Sequence, residues 1–480
     1  MTRPAVLGTA LSTLVLYAVT AVIALRSVAD RDIWWHLRTG EWIVQHRAVP
    51  HVDPFAPDGA AKAWMTSSWL FDVVLHALHE SFGPPALAAY ALVLGLACVL
   101  ALQRLGARRT RGPITAVALP ALAFAVVAPL LGPRPALVSI LFYAIELSVL
   151  FSALEGGDRR GLWLLPPLFV VWANLDRGVG HGLLVLALAT VAQRLERRRR
   201  SAEAADDSVP ELARVTLFCG LAALLTPYHV GLYSALLDTG GQGAARERLG
   251  DLASPTFRAL GDWIMLALLL GAVFVTARRS RHRTFTLLVL GVSAFSAFRT
   301  SRDAWLVAVS ATAVLSSVRF SGRTAVATRG LGVAAAVAAG IVGAVVWSLT
   351  PPQPRWQSEV SARFPVAAAR VVEDRRYPGP LFSPLEWGGY LLWRLPRLTT
   401  VVDGRLELQG DARIRRLIAT WDGGREWAID PDLAGAGTVV APTDSSLTTL
   451  LHDDPRFVVV YTDDVAALFV ARRAAHGSGL

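Results

Sequence analysis

The feature that most constrains this chain is a series of long apolar runs, broken at short intervals by arginine-rich loops. The first covers about residues 5–25. Others follow at about 84–103, 114–132, 135–153, 161–175, 178–193, 211–228, 259–277, 284–299, 303–318 and 330–349. About 20 apolar residues in helical form cross the hydrocarbon core of a bilayer, where every backbone polar group must find its partner within the chain. The pattern predicts an all-α polytopic transmembrane bundle of about eleven spans. Composition agrees: only 18% of residues are charged, against about 25% in soluble chains. A string of soluble domains and a disordered chain are both excluded. The first run precedes Ser27-Val28-Ala29, which resembles a signal-peptidase site. Its apolar core is longer than the roughly 7–15 residues of a signal peptide, so it reads as a retained span.

The loops orient the bundle. Arg104, Arg108, Arg109 and Arg111 form one cluster, and Arg159 with Arg160, Arg197 to Arg200, Arg278 to Arg283, and Arg319 with Arg323 form the rest. All fall on one side if the N-terminus is inside, as expected when cytoplasmic loops retain basic residues. The formal net charge of +10 thus reports membrane orientation, and nucleic acid is not an expected partner. The expected location is the inner (plasma) membrane, with membrane lipids as neighbours. Cys98 and Cys219 both lie inside apolar runs without metal-site or disulfide spacing.

This threading puts a first loop, about 26–83, a second at about 229–258, and everything after about 350 outside. The expected domains are residues 1–350, a multi-span region carrying the first loop, and residues 351–480, a small extracytoplasmic α/β domain. In the tail, Thr399–Val402 and Phe457–Tyr461 read as strands, and 362–375 and 412–420 read as helices.

Polar chemistry gathers on the outer side. The first loop opens Asp30-Arg31-Asp32-Ile33-Trp34-Trp35-His36-Leu37-Arg38, with His51 and Asp53 further on. Apolar residues at 33, 34, 37 and 43–44 suit a helix lying along the membrane surface. One reading makes Asp30 and Asp32 the caps of that helix and the tryptophans an interfacial belt. The other places the two acids at the edge of the membrane. A carboxylate there takes a proton from an attacking hydroxyl or amide, or holds a divalent cation, Mg2+ or Mn2+, against phosphate oxygens. Arg134, Arg177, Arg299 and Arg302 stand at outer span ends, where the positive-inside rule disfavours them. Guanidinium groups bind phosphate bidentately, so these four are candidate phosphate ligands. Lipid-headgroup snorkelling and local pairs such as Arg302–Asp303 are the bland account. Trp34, Trp35, His36, Arg38 and Asp53 are candidate contacts for a sugar or acceptor. Glu146 stands alone as an intramembrane acid. No GxxxxGK[ST] loop, HExxH motif or nucleophile triad is present.

These segments resemble a family. The first span followed by Asp30-x-Asp32-x-Trp34-Trp35-His36-Leu37-Arg38-x-Gly40, then Pro50-x-x-Asp53-Pro54-Phe55 and Trp64-x-x-x-x-Trp69-Leu70, is similar to a group of bacterial polytopic membrane proteins. That group looks related to the GT-C glycosyltransferases, which include oligosaccharyltransferases and polyprenyl-phosphate-sugar transferases. Arg134-Pro135, Trp172-Ala173-Asn174, Gly388-Gly389-Tyr390-Leu391 and Val402-Asp403-Gly404-Arg405 extend the likeness over most of the chain. The resemblance implies an essential acid in the first external loop, at the place of Asp30 and Asp32, and a lipid-linked sugar donor. At Asp176-Arg177-Gly178 the chain departs from its relatives, where His-Gly is usual after Asn-Leu, and no acceptor motif of the oligosaccharyltransferases occurs in the tail. The implied activity is glycosyl transfer from a polyprenyl-phosphate donor to an envelope glycan, lipid or protein. Asp32 would be base or metal ligand, Asp30 its support, and Arg299 or Arg302 the phosphate ligand. The competing expectation is a non-catalytic protein, a transporter or an assembly partner for envelope polysaccharide, on a degenerate scaffold of the same kind.

Overall fold

The structure is a computed structural model and describes residues 3–26, 30–56, 62–107, 114–156, 159–199, 208–237, 243, 252–279, 282–317 and 352–472. It divides into two compact units. One holds Met1–Val28, Leu87–Leu237 and Gly250–Thr350; the other holds Ala29–Ala86, Asp238–Leu249 and Pro351–Leu480.

Among the described residues of the first unit, every regular element is helical. Its long helices are Arg3–Arg26, Ala136–Leu154, Val179–Arg199, Leu260–Arg279 and Arg283–Arg299, with shorter ones at Leu165–Leu175, Ser208–Ala222 and Ala304–Leu315. These coincide with the expected apolar runs. The run expected at about 114–132 is irregular, passing from a π-helical turn, Ile114–Ala118, through Leu119–Val127 to a 3-10 turn, Ala128–Leu130. Pro120 and Pro129, which cannot donate to the helical ladder, account for the interruptions. The run expected at about 330–349 lies outside the described residues. Among the described residues, three helices, Pro84–Gly106, Ala136–Leu154 and Leu260–Arg278, are long and apolar enough to cross a membrane.

The core of this unit is closely packed around Tyr17, Leu102, Tyr143, Phe169, Trp172, Phe285 and Trp305. Buried hydroxyls pair between helices: Tyr143 Oη lies 3.0 Å from Ser310 Oγ, and Ser293 Oγ 2.9 Å from the same atom. Such pairing satisfies polar groups that have no water to turn to. Glu146 is fully buried, and neither of its carboxyl oxygens has a hydrogen-bond partner.

The second unit joins the first-loop residues to the tail, a grouping that differs from the expected division at about residue 350. Two helices, Ile33–His46 and Trp69–Phe82, cross at Gly40. A methyl at Gly40 would lie 2.1 Å from the Asp72 carbonyl oxygen, so only glycine permits this approach. The first helix buries Ile33, Trp34, Leu37 and Ile43 on one face and stops where Arg47 turns left-handed, at φ 51°.

The tail folds around a four-stranded sheet of order β1-β2-β4-β3, with β1 Leu381–Phe382, β2 Thr438–Pro442, β3 Phe457–Thr462 and β4 Ala466–Ala471. β1 and β2 are parallel, while β2 and β3 flank β4 antiparallel. Phe382, Val439, Leu447, Phe457 and Phe469 fill its core. The strand expected at Thr399–Val402 is reduced to a single bridge, Leu381 to Thr400, because β1 offers only two residues and the chain turns away at Asp403-Gly404. The helix expected over 362–375 is broken at Pro365, giving Pro352–Arg363 and Val366–Arg375.

Candidate active site

The first-loop acids take different roles. Asp30 is buried, and its Oδ1 accepts the backbone N–H of Asp32 at 2.9 Å. That turn fixes the chain just ahead of the helix and sets the start of Ile33–His46. Asp32 occupies the N-cap position, yet its side chain makes no capping hydrogen bond. The side chain is 17% exposed, and the Arg31 guanidinium lies 3.5 Å away. Helix capping therefore does not account for the Asp32 carboxylate.

Asp32 Oδ1 faces the tail of its own unit. A methyl at Gly404 would lie 2.8 Å from Asp32 Oδ1 and 3.0 Å from Trp35 Nε1. The absence of a side chain at Gly404 thus lets the Asp403–Arg405 turn approach both groups.

Around this point the unit is braced by two polar clusters. In the first, Arg405 is 2% exposed and bonds Asp403 through Nε at 2.9 Å and Nη2 at 2.7 Å. Its Nη1 pairs with Asp53. The guanidinium also lies over the rings of Phe55, 5.0 Å from the centroid, and Trp64, 4.7 Å. Burial alone lowers its proton affinity, but the Asp403 and Asp53 carboxylates more than offset this and hold the pKa above the ordinary arginine value. In the second cluster, Asp72 is fully buried and accepts from Thr66 at 2.7 Å and Ser68 at 3.2 Å, with His36 Nδ1 at 2.6 Å. The His36 ring stacks on Trp35 with centroids 3.6 Å apart. The second cluster fixes the imidazole, and the imidazole in turn supports the indole.

Several expected contacts have structural work here. Trp34, one of the expected sugar or acceptor contacts, is wholly buried. Its ring is enclosed by Trp356, Phe364, Tyr390 and Trp393, with centroids 4.9–5.7 Å away. Arg38 bonds Glu41 at 2.8 Å, and Asp53 is committed to Arg405. Of the expected aromatic contacts, Trp35 alone stands beside Asp32.

The four arginines belong to the other unit. Arg177 is exposed and donates to the Ala235 carbonyl at 2.9 Å. Arg299 ends its helix, and Arg302 sits in the 3-10 turn Ser301–Asp303 that follows. Asp303 is in electrostatic reach of both, and of His181 and Asp176. The Asp176 carboxylate accepts from Ser139 and from the Gly178 N–H at 3.0 Å. Arg134 lies in a turn whose carbonyl accepts from Tyr90 at 3.4 Å.

Among the described residues, no group of three or more His, Cys, Asp and Glu side chains could hold a metal ion.

Asp72 and the Asp403–Arg405 pair escape the sequence reading as working groups. The signal for Asp72 is an acid within the apolar run Trp69-Leu70-Phe71-Asp72-Val73-Val74, since a charge on a buried helix face needs partners.

No family model and no curated protein matches the chain. Solved structures do. ArnT from Cupriavidus metallidurans bound to undecaprenyl phosphate is 14% identical with a TM-score of 0.46, over 98% of each chain. The oligosaccharyltransferase of Archaeoglobus fulgidus, complexed with zinc and sulfate, is 12% identical with a TM-score of 0.47, over 90% of this chain and 68% of that one.

Proposed function

We propose that this protein is an integral membrane glycosyltransferase that uses a polyprenyl-phosphate-linked sugar on the outer face of the membrane. In this reading the chain crosses about eleven times with its N-terminus in the cytoplasm, as the arginine loops require. Asp32 is the catalytic base, and Asp30 supports it through the turn. Arg299 or Arg302, with Arg134 and Arg177, holds the donor phosphate. An envelope glycan, lipid or protein receives the sugar.

The observation that carries the reading is the Asp32 side chain. It stands at a helix start without capping it, in a turn that Asp30 holds rigid. A carboxylate so placed takes the acceptor's proton as the new bond forms, a contribution of typically 10²–10⁴-fold. Charge then develops on the departing phosphate oxygen, where fixed guanidinium groups lower the barrier.

The test is direct. The purified protein in lipid nanodiscs is given a panel of polyprenyl-phosphate-linked hexoses and pentoses, labelled in the sugar. Time-dependent loss of labelled donor with formation of a glycosylated product supports the proposal. Full retention of every donor, with a panel of envelope acceptors supplied, counts against it.

A further inference from the structure

The helix Trp69–Phe82 has two faces that avoid water. Phe71, Asp72 and Leu75 are its buried residues, with Phe71 and Asp72 both meeting His36 of the neighbouring helix. Leu70, Val74, Ala77, Leu78, Ser81 and Phe82 recur at the three- and four-residue spacing of a second face, and none of the six is charged. Val74 is 39% exposed and Phe82 71%. Ala77 and Ser81 are exposed as well, and Leu70 and Leu78 are half-buried. An uncharged apolar stripe left open along a whole helix marks an interaction surface.

The chain itself indicates what covers this stripe. Gly83 ends the helix at φ 71°, its N–H bonded to the His79 carbonyl at 2.7 Å. The next residue starts the 23-residue helix Pro84–Gly106, which is long and apolar enough to cross a membrane. A spanning helix starts at the bilayer surface, and Phe82 is two residues from that start. The stripe runs back from Phe82 to Leu70, about 18 Å at 1.5 Å per residue. Only a helix lying along the surface puts all of it against lipid. The preceding helix offers no equivalent stripe, because Ile33, Trp34, Leu37 and Ile43 are turned inside the unit.

We infer that Trp69–Phe82 docks on a phospholipid surface, with the stripe from Leu70 to Phe82 seated at the boundary of headgroups and acyl chains. The inference rests on the membrane-spanning part of the proposed function, and not on the chemistry of Asp32. A helix in that position buries its apolar face about 5–10 Å into the boundary. Its other face remains free to hold protein. Here that face presents Asp72, which accepts from Thr66 and Ser68 and meets His36 Nδ1 at 2.6 Å. Gly40 lets the backbone of Ile33–His46 close against the same side. One rigid helix thus meets lipid on one side and holds the helix that begins after Asp32 on the other.

A second copy of the chain, or another segment of the same chain, would also exclude water from the stripe. Water exclusion alone therefore does not identify the occupant. Direct contact with lipid does, and it is read by a quencher carried on the lipid itself.

The experiment places single bimane labels on the full chain in phosphatidylcholine nanodiscs. Cys98 and Cys219 are buried, so the label goes to an introduced thiol, with unmutated protein as the blank. The variants are Val74→Cys and Phe82→Cys on the stripe, Glu80→Cys on the exposed polar side, and Val93→Cys on Pro84–Gly106, where Val93 is 64% exposed. Lipid carrying a nitroxide near the top of its acyl chain should remove most of the emission at positions 74 and 82, and aqueous iodide should leave it. Position 80 should show the reverse. Position 93 should be quenched by lipid with the nitroxide deep in the chain. Iodide quenching at 74 and 82 without nitroxide quenching overturns the inference, because the stripe then faces water. Quenching by neither overturns it too. Dimer formation by Val74→Cys with a bis-maleimide then identifies a second copy as the cover, and its absence identifies a segment of the same chain. In each of these cases a quenched position 93 leaves the spanning reading intact. A position 93 silent to deep nitroxide sinks the spanning helix and the inference together.

Discussion

Replacing Arg405 with methionine isolates what the buried ion cluster contributes to the second unit. Methionine keeps much of the aliphatic stem against Phe55 and Trp64 but removes the charge. It leaves Asp403 and Asp53, whose side chains are 3% and 11% exposed, without their cation. Breaking a buried pair from one side costs about 3–5 kcal/mol, because an uncompensated charge remains. The folded-to-unfolded ratio should thus fall by about two to four orders of magnitude. Denaturant unfolding of the full chain in nanodiscs, followed by tryptophan fluorescence, reads this directly. Adding Asp53→Asn and Asp403→Asn to Arg405→Met should recover a large part of the loss, since neutral amides need no counter-ion. The amide oxygen in Asp403→Asn can still accept from the backbone N–H at position 405, a bond that the Asp403 carboxylate makes at 2.9 Å. A single variant within about 0.5 kcal/mol of wild type, the range of ordinary surface changes, would refute this account of the cluster.

Asp72→Leu should destabilise the crossing of the two first-loop helices by about 3 kcal/mol or more, because His36, Thr66 and Ser68 all lose their acceptor. Asp72→Asn should cost less, and chemical denaturation ranks the two. Stability of the second unit should also fall in acid. Burial raises the carboxyl pKa values of Asp432 and Asp454, but Arg413 with Arg416, and Arg456, outweigh it and leave both below the ordinary 3.8. Their stabilisation is complete above that value and is lost as pH drops through the folded-state values. A thermal-shift series from pH 7 to 2 should therefore decline below about 4, with a shallower decline in Arg456→Met. Reporter fusions after Arg199 and after Gly410 should report opposite compartments, and the same compartment for both would contradict the proposed threading.

Much of the first unit is legible in the sequence because a span is a local signal: about 20 apolar residues declare a helix without reference to anything distant. The helix Ile33–His46 is readable for the same reason, from apolar spacing at 33, 34, 37 and 43. What the sequence hides is pairing across distance. Arg405 meets Asp53 from 352 residues away, and His36 meets Asp72 from 36. Nothing local in either segment announces its partner. Trp34 and Trp35 show a second limit. Adjacent on a helix, they point about 100° apart, so one fills a core while its neighbour stands next to Asp32. The expected division at about residue 350 does not group the first loop with the tail, because the loop's burial partners, such as Leu392 and Leu408 against Phe55 and Trp64, come from far along the chain. The first-loop acids are visible in the sequence as a pair. Their separation into a turn-former and an uncapping carboxylate becomes apparent only with backbone geometry.

The central claim is that Asp32 removes a proton during transfer, and Asp32→Asn tests it most directly. The Asp32 side chain makes no capping bond to lose, and asparagine caps about as well as aspartate in any case, so the helix should form and the protein should accumulate in the membrane normally. Transfer of labelled sugar from the polyprenyl-phosphate donor should drop at least about a hundredfold, the lower end of what a general base supplies. Near-wild-type transfer by Asp32→Asn, and likewise by Asp30→Asn, would contradict the account and leave the loop as scaffold.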